Sequence, residues 1–234
     1  MYRLLKLPER LDRIAAFIKE GANVADIGTD HGLLPIYLAQ NELASHITAT
    51  DISAGSLGAA RRSASKYGVT DKIEFVEAPG LTGVAKTQVD TVVIAGMGGQ
   101  NIAEIIRDAP WVKKRKVRLI LQPQSKTDEL CGFLRSAGYV LRDAEIVRDR
   151  SRYYIIFVAT SGRSKSLLAP EIELYSILAA KRSPLFISYI DMLINKTQSA
   201  ASGLRNSVSG KHDILHKKLV DLRNIRGAFD LWQT

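Results

Sequence analysis

The stretch that most constrains this chain is Val24-Ala25-Asp26-Ile27-Gly28-Thr29-Asp30-His31-Gly32-Leu33-Leu34. An apolar run ends at an acid, turns between two glycines and resumes as a second apolar run. This pattern predicts a strand feeding a helix through a tight turn, with the backbone N–H groups of the helix start open to a ligand. The spacing Gly28-x-x-x-Gly32 lacks the third glycine of a dinucleotide fingerprint. Asp30 and His31 stand inside the turn, where a pyrophosphate would meet a carboxylate, so a cofactor carrying positive charge suits the loop better. Asp30 has two readings: a cap of the helix that begins near Gly32, or an acid beside a reacting cationic centre. His31 reads as a hydrogen-bonding wall.

Around this turn, strand and helix alternate. Pro8 to Ile18 has Leu11, Ile14, Ala15 and Ile18 at helical spacing. Leu33 to Gln40 is the helix behind the glycine turn. His46 to Asp51 is a second strand, and Ser53 caps an Ala-rich helix that Gly68 stops. Lys72 to Val76 is a third strand. Val89 to Ala95, almost wholly apolar as a central parallel strand should be, is a fourth and runs into the open turn Gly96-Met97-Gly98-Gly99. Asn101 to Asp108 is helical, Val117 to Leu121 is a fifth strand ending in Gln122-Pro123-Gln124, and Ser125 to Ser136 is a helix. Such alternation predicts a doubly wound parallel sheet. Tyr139 to Val147 and Arg152 to Thr160 are then separated by four residues, too few for a crossover helix, so they form an antiparallel hairpin.

The polar segment 161–166 marks a boundary. Beyond it Phe186, Ile190, Leu193, Thr197, Ala200 and Leu204 recur at spacings of four and three, as do Leu215, Leu219, Leu222, Ile225 and Phe229. A period near 3.5 residues, interrupted by Ser207-Val208-Ser209-Gly210, predicts an antiparallel helical hairpin of coiled-coil type docked on the first domain or on a partner. The expected domains are residues 1–161 and 167–234.

Ligands of open parallel sheets bind beyond the carboxyl ends of the strands. The residues expected to converge there are Asp26 to Gly32, Asp51-Ile52, Gly80-Leu81 after the third strand, Ala95 to Gly99, and Gln122-Pro123. Asp51 can accept both hydroxyls of an adenosine ribose, and Gly80 lets a backbone amide approach the adenine. Three glycines in the four positions 96–99 would let a flat group lie against the main chain.

Lys and Arg exceed Asp and Glu by 33 to 24, a balance suited to a polyanion such as nucleic acid. Residues after Ala180 hold nine of the cations and four of the acids, and Lys211, Lys217, Lys218, Arg223 and Arg226 are candidates for phosphate contacts. Lys113-Lys114-Arg115-Lys116 reads as a basic surface loop. Cys131 stands alone, so no intrachain disulfide and no cysteine-based metal site is expected. No apolar run reaches membrane-spanning length and no signal-peptide pattern opens the chain, so the cytoplasm is the expected compartment. A monomer without metal is expected.

Asp26-x-Gly28 at the first strand, Asp51 at the second and the terminal hairpin resemble a class I S-adenosylmethionine-dependent methyltransferase. More narrowly, Ala25-Asp26-Ile27-Gly28-Thr29-Asp30-His31, Ile94-Ala95-Gly96-Met97-Gly98-Gly99 and Leu119-Ile120-Leu121-Gln122-Pro123 resemble the bacterial tRNA (adenine-N1)-methyltransferase family called TrmK. The resemblance implies a Rossmann-like catalytic domain, a C-terminal coiled coil, S-adenosylmethionine as cofactor and adenine 22 of tRNA as target. It makes Asp26, Gly28, Asp30, His31, Gly32, Asp51, Ile52, Gly80, Leu81, Ala95, Gly96 and Met97 the cofactor site. Asp30 holds a place where many class I enzymes have a further glycine. The Asn-Pro-Pro-Tyr-type tetrad of many adenine N6-methyltransferases is absent after the fourth strand.

The mechanism so implied needs no strong base, because N1 of neutral adenine already presents a lone pair. Asp30 is the candidate to accept a hydrogen bond from the exocyclic amine while facing the developing positive charge. Gln122 and the Gly96–Gly99 backbone are candidates to bracket the base, with Gly98, Gly99, Gln122 and Pro123 as the substrate-binding residues. The rival readings are a methyltransferase acting on another substrate, a non-catalytic RNA-binding protein that keeps the fold, and a nicotinamide oxidoreductase, which the glycine spacing and the hairpin disfavour.

Overall fold

The structure, a computed structural model, describes residues 3–84, 88–203 and 211–231; the side chains of Lys211, Asp230 and Leu231 lie outside the described residues. The first half runs α1 (Glu9–Ala16), β1 (Ala22–Ile27), α2 (Leu33–Gln40), β2 (Ala44–Asp51), α3 (Ala54–Lys66), β3 (Glu74–Glu77) and β4 (Thr91–Gly98). It continues through α4 (Gly99–Arg107), the single turn α5 (Trp111–Lys114), β5 (Arg118–Ser125), α6 (Thr127–Ser136), β6 (Tyr139–Asp149) and β7 (Arg152–Ser161). Three helices follow: α7 (Pro170–Ala180), α8 (Phe186–Gly203) and α9 (Lys211–Leu231).

The strands form one sheet in the order β3-β2-β1-β4-β5-β7-β6. β1 to β5 are parallel, and β7 runs antiparallel to both β5 and β6. The pleat sorts the central side chains onto two faces. Val92, Ile94, Leu119 and Leu121 enter one apolar cluster, Val93 and Ile120 the other, and all six are fully buried. Burial on both faces explains why these strands read as continuous apolar runs. Chain order reverses between β1 and β4, the switch point at which such sheets open a crevice. Cys131 is buried, and burial pushes its thiol up to about 12, so it stays a protonated core side chain.

The expected antiparallel pairing of the two long helices is present: Arg226 Nε donates to Asp191 Oδ1 at 3.0 Å, Arg223 Nη2 to Gln198 Oε1 at 3.1 Å, and the Phe186 and Phe229 rings lie 4.8 Å apart. The stripe differs at one place. Ala201 is buried and Ala200 is exposed, because four residues on from buried Thr197 is the next position on one face of a helix that keeps 3.6 residues per turn. Leu204 and the turn at 207–210 lie outside the described residues. The helical segment is not a separate layer: Ile172, Leu178, Phe186, Ile190, Leu222 and Phe229 share the apolar cluster of Val92 and Leu119. The sequence contains no explicit signal for α7 because its apolar residues are spread around the helix, as suits an element buried between α6, β6 and α9.

Gly96 to Gly99 is not the open turn expected. β4 continues through it, pairing as far as Gly98 opposite Ser125, with register shifts on either side of Met97. Gly99 starts α4 and is buried, and a Cβ there would fall 2.3 Å from the Lys126 carbonyl oxygen. Glycine is required by backbone packing against the end of β5. Gly99→Ala is expected to lower unfolding free energy by about 3 kcal/mol in urea titration, since backbone cannot yield as a side chain would. Gly132→Ala, where a Cβ would meet nothing within 4 Å, should leave stability unchanged or raise it by about 0.5–1 kcal/mol.

Candidate active site

A cavity of about 920 Å³ opens along the carboxyl ends of β1 to β4, lined among others by Gly28, Asp51, Ile52, Gly80, Leu81 and Met97. Gly28 lines it from a turn wound from left-handed residues: Gly28 at φ 73°, Asp30 at φ 52° and Gly32 at φ 69°. The Gly28 and Thr29 N–H groups both donate to Thr50 O, at 2.8 and 2.9 Å, which ties the turn to the end of β2. A Cβ on Gly28 would lie 2.2 Å from Met97 Cε, so Met97 rests directly on the turn.

Asp51 joins the two neighbouring strand ends. Its Oδ2 accepts from the Asp30 N–H at 3.2 Å and its Oδ1 from the Ser53 N–H at 2.9 Å. Each carboxylate oxygen keeps a further lone pair for a hydroxyl in the cavity. Ile52 stands on the rim with 75% of its surface in water, while Leu81 is buried beneath. Asp30 does not cap the following helix: α2 begins at Leu33 after Gly32 as N-cap, with no side-chain cap. The Asp30 carboxylate is exposed, with His31 Nε2 at 3.8 Å, and that histidine is exposed as well.

Asp26, Gln122 and Gly96 lie deeper, and they meet a residue that the sequence reading missed, Arg10. Arg10 Nη1 donates to Gln122 Oε1 at 2.7 Å, and the same oxygen accepts from the Gly96 N–H at 3.2 Å. Gln122 Nε2 donates to Pro123 O at 3.0 Å. Gln122 is fully buried, and Pro123, though buried, lines the second cavity described below. Gln122 positions Gly96 and Arg10. The exposed residue at this edge is Gln124, whose Nε2 lies 3.6 Å from where a Gly96 Cβ would be. At Gly99 the Lys126 backbone fills the place of a Cβ, and Gly98 is a paired strand residue. A signal for Arg10 did exist: it lies four residues before fully buried Ile14, on the helix face turned to the sheet.

Asp26 is buried, and its Oδ2 accepts from Thr29 Oγ1 at 2.8 Å. Burial pushes its carboxyl up to about 6, against the Thr29 hydrogen bond and the Arg10 charge, which lower it. A raised folded pKa means that the native state binds the extra proton between the two values, so stability falls as pH rises from about 4 to about 6 and is flat above. Relative to Asp26→Asn, the wild type is expected to lose about 3 kcal/mol between pH 3.5 and 7.5, measured by urea unfolding of both proteins.

A second cavity, of about 620 Å³, lies under α8 and α9 against the ends of β5 and β7, lined by Gln124, Arg152, Tyr153, Tyr154, Lys196 and Lys218 among others. Lys218 Nζ is held by Glu171 at 2.7 Å, whereas Lys217 is exposed on α9. Lys113 and Lys114 belong to the α5 turn, and Lys114 borders the first cavity rather than a free loop. Among the described residues no group of three or more His, Cys, Asp or Glu could hold a metal ion, and no helix is long and apolar enough to cross a membrane.

A parallel sheet closed by an antiparallel strand, a glycine turn after β1 and a ribose-ready acid after β2 define a class I methyltransferase. The methyltransferase domain family matches residues 7–157. The chain is 32% identical to the tRNA (adenine(22)-N(1))-methyltransferase of Bacillus subtilis over 200 residues, 83% of this chain and 84% of that protein. Its structure is similar to that of B. subtilis TrmK, with a TM-score of 0.81, 29% identity and coverage of 95% and 99%. It is also similar to Streptococcus pneumoniae Sp1610 in complex with S-adenosyl-L-methionine, at TM-score 0.82, 27% identity and coverage of 94% and 100%. The chain belongs to the tRNA (adenine(22)-N1)-methyltransferase family.

Proposed function

We propose that the first cavity holds S-adenosylmethionine, that RNA enters from the second, and that the methyl group passes to N1 of an adenine in tRNA at the ridge between them. The observation that carries this is the placement of Gly96. Its neighbour Met97 lines the first cavity, and Gln124, 3.6 Å from its missing Cβ, lines the second. A cofactor and a base on either side of an uncovered glycine can meet without a side chain intervening.

The residues fit the cofactor. The 920 Å³ cavity is within the usual size range for small-molecule sites, with Asp51 for the ribose and the Gly80-Leu81 wall for adenine. When bound, the cofactor supplies an electrophilic methyl on a sulfonium. Asp30, its N–H on Asp51 and its exposed carboxylate uncommitted to a helix cap, is free to accept from the exocyclic amine and to face a base that becomes cationic. The chain supplies no base at N1 because none is needed. Residues 1–161 act as the catalytic part and residues 167–234 as an RNA-holding arm, with exposed Lys196, Lys217 and Arg223 of the arm, and Arg152 at the start of β7, turned to phosphate. Lys218, already paired, shapes the second cavity.

The target is read from the family as adenine 22. A tRNA transcript with that adenine replaced by guanine, whose N1 carries a proton instead of a lone pair, is expected to accept no methyl, while the unaltered transcript is methylated. Equal labelling of both would end the proposal for this position.

A further inference from the structure

Gln124 stands on β5 between Pro123, which pairs with Met97, and Ser125, which pairs with Gly98, so its backbone is fixed against β4. Its side chain is exposed, and among the described residues no hydrogen bond holds the amide. Gln122, two residues earlier, is by contrast spent on Arg10, the Gly96 N–H and Pro123 O. The Gln124 amide points at the uncovered glycine: apart from Gly96's chain neighbours, Nε2 is the atom nearest the place of a Gly96 Cβ, at 3.6 Å. A free amide on a rigid strand, beside the glycine where cofactor and base meet, is placed to read a base edge.

The chemistry decides which edge. N1 of the target must carry no hydrogen bond, because its lone pair takes the methyl group. Recognition therefore falls on the exocyclic N6 amine and on N7. A side-chain amide matches that pair, with Oε1 accepting from the amine and Nε2 donating to N7, and it leaves N1 open. The sheet supplies a second acceptor on the other side: β4 lies between β1 and β5, so Asp30 after β1 and Gln124 on β5 flank the end of β4. The amine has two hydrogens, one for each. We propose that Gln124 reads the N6–N7 edge of the target adenine and sets the specificity of the transfer for that base. This rests on the tRNA reading above and names the residue that selects the base. Cytosine shows why Asp30 alone is not enough: its N3 lone pair and N4 amine repeat the N1 and N6 of adenine, and it lacks only the N7 acceptor. Reading N7 requires a base lifted from its stack, as access to N1 does.

The test uses two ligated full-length tRNAs, one with adenine at the target position and one with 7-deazaadenine, in which a C–H replaces N7. Each is methylated by the full-length wild type, Gln124→Ala and Gln124→Glu, and the ratio of kcat/KM for adenine over 7-deazaadenine is taken within each protein. Comparing that ratio between proteins cancels both the intrinsic nucleophilicity of the two bases and any loss of folded enzyme. In Gln124→Ala the ratio is expected to fall about 10-fold below the wild-type value, with about a tenth of the wild-type kcat/KM retained on adenine. Gln124→Glu turns lone pairs toward N7 and tolerates a C–H there, so its ratio should fall further. The same ratio in wild type and Gln124→Ala would overturn the proposal, as would complete loss of transfer in Gln124→Ala. A wild type that methylates neither tRNA defeats the tRNA reading itself; one that methylates the adenine tRNA, with ratios that do not move, defeats only the assignment of Gln124.

Discussion

Replacing Asp30 by alanine is expected to lower single-turnover methyl transfer to tRNA by about 10³-fold, while the Kd for S-adenosylhomocysteine stays within about threefold. Asp30 adopts φ 52°, a conformation that costs a non-glycine residue of order 1 kcal/mol. Its N–H is held by Asp51, yet its carboxylate caps nothing and is exposed beside His31. An acid kept in a left-handed turn, where glycine would be easier, is explained if the charge acts on what binds there. Two further substitutions separate charge from conformation. Asp30→Gly relieves the backbone and should be at least as stable as wild type, yet as inactive as Asp30→Ala. Asp30→Asn keeps the left-handed preference and an acceptor, so it should recover only part of the rate. Full activity in Asp30→Ala would remove the residue from the mechanism.

Asp51→Ala should act on the other quantity. Loss of a charge-assisted pair of hydrogen bonds to the ribose, about 3 kcal/mol, corresponds to a rise of about 100-fold in the S-adenosylhomocysteine Kd by calorimetry. Some loss of rate should accompany it, because the Asp30 N–H is anchored on Asp51 Oδ2 and the Ser53 N–H on Oδ1. Asp51→Asn, which keeps an acceptor for one of the two hydroxyls, should fall between. An unchanged Kd in Asp51→Ala would place the cofactor's ribose elsewhere.

What could be read from the sequence follows from what side-chain pattern reports. Leu33–Gln40 matches its expected bounds because a glycine precedes it and its apolar run ends at a polar pair. The β6–β7 hairpin was forced by loop length alone. Asp51 and Gly28 were legible because each closes a strand. For Gln122, sequence gives the residue's place at a strand end but not its depth there: two residues on, Gln124 is exposed while Gln122 is sealed beneath Arg10. The glycines at 96–99 suggested openness, yet Gly99 is small because the Lys126 backbone crosses it, a contact between distant strands that no local pattern encodes. Helical spacing could place Arg10 on the inward face of α1 but not name its partner, since Gln122 is distant in the chain.

The most direct measurement is to incubate the protein with methyl-labelled S-adenosylmethionine and unmodified tRNA, digest the RNA to nucleosides and identify the labelled one. The account predicts label in 1-methyladenosine alone. Label in N6-methyladenosine or in another nucleoside, or none in RNA while the protein binds the cofactor, would contradict it.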